Sequence, residues 1–291
     1  EISKIARKTV KKIVAGEGKK IDIGPDNLPD FLGVESNNIW FLAWTTTPWT
    51  LPSNLACAVG KNIDYSLITK NNQNFVIASN VLENFSEELK DIKIIKKIKG
   101  EKILGTKYEP LFSYFKTNKN SFRVLSADFV NTEEGTGIVH MAPGFGEDDQ
   151  IVCEENNIQL VCPVDDQGRF TNEVTDYNGI NVFDANEKII LYLKERNILF
   201  KKEKYKHNYP HSWRTDEPLI YKSVNSWYVN VSSFKDRMVK LNQGINWVPN
   251  HIKDGTFGKW LEGAKDWSIS RNRFWGSPIP VWKSDDPKYP R

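Results

Sequence analysis

Short apolar runs bounded by polar turns recur along the chain, and most of them have the composition of β-strands. Residues 39–43 read Ile-Trp-Phe-Leu-Ala, a β-branched and aromatic run that predicts a strand ending near Thr45. Residues 65–69 and 75–79 predict two neighbouring strands, because the polar segment 70–74 between them has the composition of a turn. The pattern therefore predicts a chain in which short strands dominate.

Helical spacing of apolar residues is less common. It occurs over residues 81–90 and 184–196, and Asp184 is a candidate N-cap of the second of these helices. A third helix is predicted to begin at residues 147–149, because three consecutive acidic side chains suit the free N–H groups of a first helical turn. Short strands thus alternate with a few helices.

The most informative segment is residues 44–54, in which Thr45, Thr46 and Thr47 are followed at once by Pro48. Pro48 has no N–H group and biases Thr47 towards an extended conformation, so the hydroxyl groups are free to face a ligand. Each hydroxyl donates one hydrogen bond and accepts two, which suits an uncharged polar ligand such as a ribose edge or an ester carbonyl. Chemistry alone nevertheless favours an ordinary turn at a strand end.

A second informative segment, residues 135–149, combines a histidine with the acidic residues of the third predicted helix. The apolar neighbours of His140 predict a short buried strand, and a histidine there is more often a hydrogen-bonded core residue than a catalytic group. The helix N-terminus accounts for Glu147 and Asp148, whereas Asp149 can instead point across the turn and bind a cation.

Residues 44–54 and 135–149 together resemble the editing domain of isoleucyl-tRNA synthetase, which interrupts the nucleotide-binding catalytic domain of that class I enzyme. Leucyl and valyl relatives usually carry an arginine in place of Thr47, so this threonine favours the isoleucyl branch. The resemblance covers the chain from residue 37 to its end, and further blocks in the family's order support it: Cys162-Pro163-Val164-Asp165, Gly168-Arg169-Phe170, Tyr209-Pro210-His211-Ser212-Trp213-Arg214, Asn246-Trp247-Val248-Pro249 and residues 266–276.

The resemblance implies a mixed α/β fold, namely a β-barrel-like editing domain with peripheral helices, inserted in a Rossmann-type catalytic domain that is mostly absent here. It divides the chain into a lead-in segment 1–36, an editing core 37–206, and residues 207–291, which complete the insertion and return towards the catalytic domain. The His-x-Gly-His and Lys-Met-Ser-Lys-Ser blocks that bind ATP in class I synthetases do not occur. We therefore expect part of a longer synthetase that does not activate an amino acid by itself.

The activity that the resemblance implies is post-transfer editing, the hydrolysis of the ester that joins valine wrongly to tRNA(Ile). Asp149 is expected to pair with the α-ammonium group of the aminoacyl substrate. Thr45, Thr46 and Thr47 are expected to contact the terminal ribose and the ester. They would also help to place the attacking water.

Three further residues are expected to bind the substrate. His140 should line the side-chain pocket and set its upper size limit, and a general-base role ranks lower because its apolar flanks indicate a packed ring. Trp49 and Asn54 are adjacent candidates, with packing the more natural role for Trp49. The alternative to a hydrolase is a module that binds the acceptor end of tRNA without cleaving the ester, and the intact threonines and Asp149 argue against it.

The implied partners are tRNA(Ile) charged with valine and the rest of the synthetase chain, for a fragment expected to be a monomer. Editing is expected to need no cofactor, and ATP and Mg²⁺ are implied only for the full-length enzyme. Lysine-rich clusters within residues 4–12, 90–102 and 194–206 are candidates for contacts with tRNA phosphates, although a solvated face is the simpler explanation of each.

Composition limits the other classes of function. With 291 residues, 26% charged and 39% hydrophobic, the sequence is that of a folded protein rather than a disordered one. No apolar run is long enough to span a bilayer, and the three cysteines lack paired spacing, which indicates reduced thiols and a cytoplasmic location. A zinc site formed by Cys162, His207 and His211 has weak support without a Cys-x-x-Cys pair, so no metal is expected.

One residue departs from the family pattern close to the candidate site. Phe145 stands where some bacterial members carry a histidine, and we expect this difference to leave the candidate site residues untouched.

Overall fold

The computed structural model describes residues 2–7, 39–204, 208–270 and 285–286. The chain divides into two compact units, Glu1–Ser223 and Val224–Arg291. Most of the proposed lead-in segment 1–36 lies outside the described residues, as does His207 of the zinc hypothesis. The boundary at residue 206 stays a prediction.

Within the described residues, the first unit contains a mixed sheet of nine short strands: β1 (Ile2–Arg7), β2 (Ile39–Trp44), β3 (Ala56–Val59), β4 (Asp64–Lys70), β5 (Gln73–Ala78), β6 (Lys93–Lys99), β7 (Arg123–Ser126), β8 (Ile138–Met141) and β9 (Leu199–Lys201). Seven of them follow the order β6-β4-β5-β2-β8-β3-β7 and form a curled half-barrel, while β1 pairs with both β2 and β9. The predicted strand 39–43 is thus confirmed as β2.

The predicted hairpin is also confirmed, because β4 and β5 pair antiparallel from Tyr65 opposite Ala78 to Lys70 opposite Gln73. Its two turn residues, Asn71 and Asn72, have φ angles of 49° and 58°. Two consecutive positive φ angles are typical of the tight turn that matches the twist of the flanking strands, and asparagine tolerates them well.

Among the described residues of the first unit, two segments are α-helical, α1 (Glu147–Glu155) and α2 (Val182–Glu195). The prediction that the acidic trio opens a helix is confirmed, since all three residues lie in the first turn of α1. The proposed N-cap of α2 was wrong: Asn181 caps this helix, and its Oδ1 atom accepts a hydrogen bond from the Phe183 N–H at 3.0 Å. Asp184 lies inside the first turn, where its negative charge interacts favourably with the positive end of the helix dipole.

The α-helix predicted for residues 81–90 was wrong. A 3₁₀ helix spans Ser79–Phe85, and turns follow it. Val81, Phe85 and Leu89 are all buried in the core. Their spacing of four reflects which side chains face the core, and a short 3₁₀ helix followed by turns satisfies that spacing as well as an α-helix does.

The core of the first unit contains two groups of buried apolar side chains, one around β2, β4 and β5 and one between β3, β7 and α2. The 3₁₀ helix Pro48–Ser53 belongs to the second group, and all six of its residues are buried. It packs on α2, where the Trp49 N–H donates to Asn186 Oδ1 at 3.0 Å. The threonines that precede this helix are therefore held between β2 and a buried anchor.

The second unit is smaller, and its described residues include two short strands and two α-helices: β10 (Tyr228–Val229), β11 (Trp267–Ser268), α3 (Lys235–Gln243) and α4 (Thr256–Glu262). The buried side chain of Asn242 links its loops, because it donates to the Lys253 carbonyl at 2.8 Å and accepts from Trp247 Nε1 at 2.9 Å. No helix in the described parts of the chain is long and apolar enough to cross a bilayer.

Candidate functional site

A cavity of about 520 Å³ opens where β2 and β8 end. The two strands are parallel and pair through Trp44 and Val139. Parallel strands end at the same edge of a sheet, so the residues that follow Trp44 lie beside those that follow Val139. This pairing brings together five sequence-predicted site residues, all of which line the cavity: Thr45, Thr46, Thr47, His140 and Asp149.

The three threonines differ in what their hydroxyl groups do. Thr45 is buried, and its Oγ1 atom accepts a hydrogen bond from the Thr47 N–H at 3.0 Å, which shapes the turn. The Thr46 hydroxyl makes no hydrogen bond to any residue that the structure describes. The Thr47 hydroxyl has only long contacts of 3.4 Å, to the hydroxyls of Thr45 and Thr50. Thr46 and Thr47 therefore retain the capacity to bind a ligand.

Hydrogen bonds at both ring nitrogens fix the protonation of His140. The Nδ1 atom lies 3.2 Å from Asn54 Nδ2, which can only donate, so Nδ1 is the acceptor. The proton therefore resides on Nε2, which lies 2.8 Å from Thr50 Oγ1. The Thr50 hydroxyl in turn donates to the Thr47 carbonyl at 2.8 Å. This assignment of the tautomer follows from the directions of all three hydrogen bonds.

The environment of His140 also keeps its ring neutral. Burial lowers the pKa of His140 to about 4, because the cavity wall cannot solvate an imidazolium ion. Both nitrogens are engaged by protein groups, so no lone pair is free to take a proton from water. The geometry supports a role for the His140 ring as part of the cavity wall and argues against a role as a general base.

This pKa shift predicts a dependence of stability on pH. The unfolded state takes up a proton near pH 6.5 and the folded state only near pH 4, so the stabilisation by neutral His140 is complete above pH 6.5 and is lost as the pH falls through 4. Between pH 7 and pH 5 we expect the free energy of unfolding to decrease by about 2 kcal/mol more in this chain than in a His140→Gln variant. Urea denaturation at both pH values measures the difference, and equal slopes would contradict a buried neutral ring.

Asp149 lies in the first turn of α1 with one carboxylate oxygen held and the other available. Its Oδ2 atom accepts a hydrogen bond from the Ala142 N–H at 2.9 Å. The Oδ1 atom has no hydrogen-bond partner among the described residues. Burial raises the pKa of Asp149, the Ala142 hydrogen bond partly opposes this rise, and the nearby charge of Asp148 adds to it. A half-buried carboxylate with no cationic partner among the described residues is suited to bind one.

The other two candidate residues do not line the cavity. Trp49 is buried in the core, and its ring packs edge-on against Phe145 with 4.8 Å between the centroids. Asn54 is buried behind His140 and reaches the cavity only through that ring. Their roles in substrate binding stay predictions, and the contacts indicate that both act by supporting other residues.

The expectation for Phe145 was wrong. Its side chain lines the cavity and contacts Trp49, because the turn at Pro143-Gly144 folds the chain back so that the Phe145 N–H donates to the Ala142 carbonyl at 2.9 Å. Thr50 also lines the cavity and was not proposed as a site residue from the sequence, although it lies in the same segment 44–54 as the threonine run.

Two glycines bring the segment before β8 close to the rest of the cavity wall. Gly135 and Gly137 both have a φ angle of +71°, in the left-handed region that side chains disfavour. A Cβ atom on Gly137 would lie 2.5 Å from the Cβ atom of Ala78, well inside contact distance. The backbone path therefore requires glycine at both positions of the Gly-Thr-Gly sequence.

Gly137→Ala is expected to destabilise the first unit by about 3–4 kcal/mol, because the left-handed φ angle and the overlap with Ala78 both oppose a side chain. The matched control is Gly179→Ala, since Gly179 has a φ angle of +75° and no atom within 4 Å of the added Cβ. The control should cost only about 1–2 kcal/mol. Equal losses in the free energy of unfolding by urea would show that the overlap with Ala78 is relieved at no cost.

Metal-ligating side chains do not cluster in the part of the chain that the structure describes, where no group of three or more could hold an ion. All three cysteines carry free thiols. Burial raises the pKa of both Cys57 and Cys153 to about 12, so neither is a thiolate at neutral pH.

Comparison with known proteins gives the family and the fold. The family model described as tRNA synthetases class I (I, L, M and V) matches residues 43–289. The isoleucine–tRNA ligase of Rickettsia bellii (strain OSU 85-389) is 56% identical over 291 residues, which cover 97% of this chain and 26% of the relative. The isoleucine–tRNA ligase of Rickettsia typhi is 62% identical over 255 residues, 86% of this chain and 23% of the relative. The chain thus spans about a quarter of the length of these curated relatives.

Among solved structures, the crystal structure of GlLeuRS-CP1 is similar, with a TM-score of 0.55 and 14% sequence identity. The similarity covers 72% of this chain and 100% of that chain. It confirms the expected fold, a mixed α/β domain with a curled, barrel-like sheet and peripheral helices.

Proposed function

The chain belongs to the class I tRNA synthetases of the I, L, M and V group, and from this premise we propose that it hydrolyses valine from mischarged tRNA(Ile). The observation that carries the proposal is the single cavity that Asp149, Thr46 and Thr47 line together. A carboxylate for an ammonium group next to hydroxyls for an ester and a ribose matches the terminus of an aminoacyl-tRNA.

Each step of the hydrolysis has a group in the cavity that can support it. Asp149 binds the α-ammonium group and thereby fixes the orientation of the ester. Thr46 and Thr47 contact the ester and the terminal ribose and place a water molecule against the ester carbon. Water adds to that carbon, the bond to the ribose oxygen breaks, and valine leaves with its carboxylate while the tRNA regains its hydroxyl. The vicinal hydroxyl of the substrate is the natural proton carrier, because His140 has no free lone pair.

Selection by size is the reason for an editing site that is separate from the site of amino-acid activation. Valine differs from isoleucine by one missing methylene, and a binding pocket for isoleucine rejects valine by only about 1–3 kcal/mol. This case is established for the isoleucine enzyme of this family itself. A pocket that admits valine and excludes isoleucine by overlap supplies the rest. In this cavity the rings of His140 and Phe145 and the side chain of Thr50 are the groups that can limit the length of the bound side chain.

The proposed partners are valyl-tRNA(Ile) and the remainder of a longer synthetase in the cytoplasm, with this part as a monomer. The lysine cluster 194–206 is a weaker tRNA site than its composition indicates. Lys201 forms ion pairs with Glu88 and Glu203, and Lys202 pairs with Glu187. Phosphate contacts are better sought on the edge strand β6, whose lysines at 93 and 97 are exposed.

The test is to incubate the purified chain with valyl-tRNA and isoleucyl-tRNA, both prepared on tRNA(Ile), and to follow release of the amino acid. We expect fast loss of valine and retention of isoleucine. Equal loss of both amino acids would contradict the size filter. If neither is lost although the chain binds the charged tRNA in a gel-shift assay, the chain is a binding module and the proposed hydrolysis is wrong.

A further inference from the structure

The hydrogen-bond chain of His140 continues away from the cavity into the core. Behind the ring lies Asn54, whose Nδ2 atom donates both to His140 Nδ1 and to the Ala56 carbonyl, the latter at 2.8 Å. The Oδ1 atom of Asn54 accepts a hydrogen bond of 2.6 Å from the hydroxyl of Tyr108. The chain therefore runs from Tyr108 through Asn54, His140 and Thr50 to the carbonyl of Thr47.

Every bond in this chain has one direction, and the direction is set at the buried end. The amide of Asn54 can present either its oxygen or its nitrogen to His140, and the two orientations demand opposite tautomers of the imidazole. The Ala56 carbonyl and the Tyr108 hydroxyl anchor the two ends of the amide and hold the nitrogen towards His140. Nε2 then carries the proton and donates it to Thr50 Oγ1. The Thr50 hydroxyl therefore donates its own proton to the Thr47 carbonyl.

Tyr108 is well placed for such a role because its ring is packed in the core. The residue is 6% exposed, and its ring packs edge-on against Phe122 with 6.1 Å between the centroids. Its backbone N–H donates to the Phe122 carbonyl at 2.8 Å. Tyr108 does not line the cavity. Its hydroxyl can act on a bound substrate only through the groups that separate the two.

We propose that Tyr108 is a positioning residue for the size filter: its hydroxyl fixes the amide of Asn54 and through it the tautomer of His140 and the orientation of Thr50. The part of this inference that concerns substrate selection rests on the proposed editing function. The part that concerns the tautomer does not, because it is a property of the free protein.

The test replaces Tyr108 by phenylalanine, which removes the hydroxyl and keeps the ring. The matched control is Tyr65→Phe, since Tyr65 is also a buried tyrosine. Its hydroxyl accepts from the Gly60 N–H and donates to the Gly137 carbonyl, outside the hydrogen-bond chain of His140. Nitrogen NMR of the imidazole rings reports the tautomer directly. The chain contains four histidines, so the signals of His140 are assigned by their loss in His140→Gln.

In the unaltered chain we expect one tautomer, with Nε2 protonated. In Tyr108→Phe the signals of Nδ1 and Nε2 should move towards each other, whereas in Tyr65→Phe they should remain in place. Unchanged signals in Tyr108→Phe would overturn the inference. Equal changes in both variants would also overturn it, because the loss of any buried hydroxyl would then explain the change in the His140 signals.

The selectivity arm compares hydrolysis of valyl-tRNA and isoleucyl-tRNA by both variants. The ratio of the two rates is expected to fall by roughly tenfold in Tyr108→Phe, the effect of one lost hydrogen bond, and to stay constant in Tyr65→Phe. A changed tautomer with an unchanged ratio would overturn the role in selection. Failure of the unaltered chain to hydrolyse either ester would count against the proposed function and leave the NMR result to decide on positioning.

Discussion

Asp149→Asn is expected to reduce hydrolysis of valyl-tRNA(Ile) by at least about a hundredfold, with the fold intact. The physical reason is the loss of a desolvated pair between carboxylate and ammonium, which typically costs about 2–5 kcal/mol when one partner is removed. About 1.4 kcal/mol corresponds to a tenfold change in rate. The loss should appear in kcat/KM, because the ammonium group is bound before and during the reaction.

Asparagine is the informative replacement because Asp149 has two tasks. Its Oδ2 atom accepts the Ala142 N–H, and an amide oxygen can take over that bond. Only the charge is then removed. Alanine at this position would remove the charge and the hydrogen bond together, so a loss of activity could not be assigned to either one.

The matched control is Asp148→Asn, one residue earlier in the same first turn of α1. Asp148 is exposed and does not line the cavity, but its charge meets the same helix dipole. We expect its variant to hydrolyse valyl-tRNA(Ile) at the original rate. Normal hydrolysis by Asp149→Asn, with equal thermal midpoints for both variants, would show that the ammonium group is bound elsewhere.

The elements that support the cavity could be predicted from local sequence. The strand β2, the short strand around His140 and the acidic start of α1 were each signalled by composition within a few residues. Their proximity could not be predicted in this way, because parallel pairing of β2 with β8 joins residues about ninety positions apart. The resemblance to a family supplied that link, since it put the threonines and Asp149 in one site.

Residues that act behind the cavity surface were missed for a different reason. Tyr108 lies in a segment with no distinctive motif, and its role depends on a single hydroxyl that meets Asn54 across 54 positions of sequence. Phe145 was expected not to touch the candidate site residues, because the local sequence does not show that the turn at Pro143-Gly144 brings its ring against Trp49. Asp184 was predicted to cap α2 because aspartate is a favoured cap, but asparagine caps helices equally well and the backbone begins the helix after Asn181.

Substitution of His140, the side chain that we propose sets the upper size limit, gives the second large effect. His140→Ala is expected to raise hydrolysis of isoleucyl-tRNA(Ile) at least about tenfold relative to valyl-tRNA(Ile), because removal of the ring leaves room for the additional methylene. The same substitution leaves Thr50 and Asn54 without their partner, so a loss of about 2–4 kcal/mol in the free energy of unfolding is expected as well.

A replacement of similar volume separates size from chemistry. His140→Gln keeps a side chain of comparable length, and its amide N–H can donate to Thr50 as Nε2 does, so Thr50 should keep its orientation and isoleucine should still be excluded although the imidazole is lost. The measurement compares the rates of hydrolysis of both charged tRNAs by the two variants, and it separates the effect of side-chain size from that of the imidazole. Retained discrimination in His140→Ala would place the limit at Phe145 or Thr50, the other side chains that close this part of the cavity. Loss of discrimination in both variants would show that selection depends on the imidazole itself, held in one tautomer by the buried chain that ends at Tyr108.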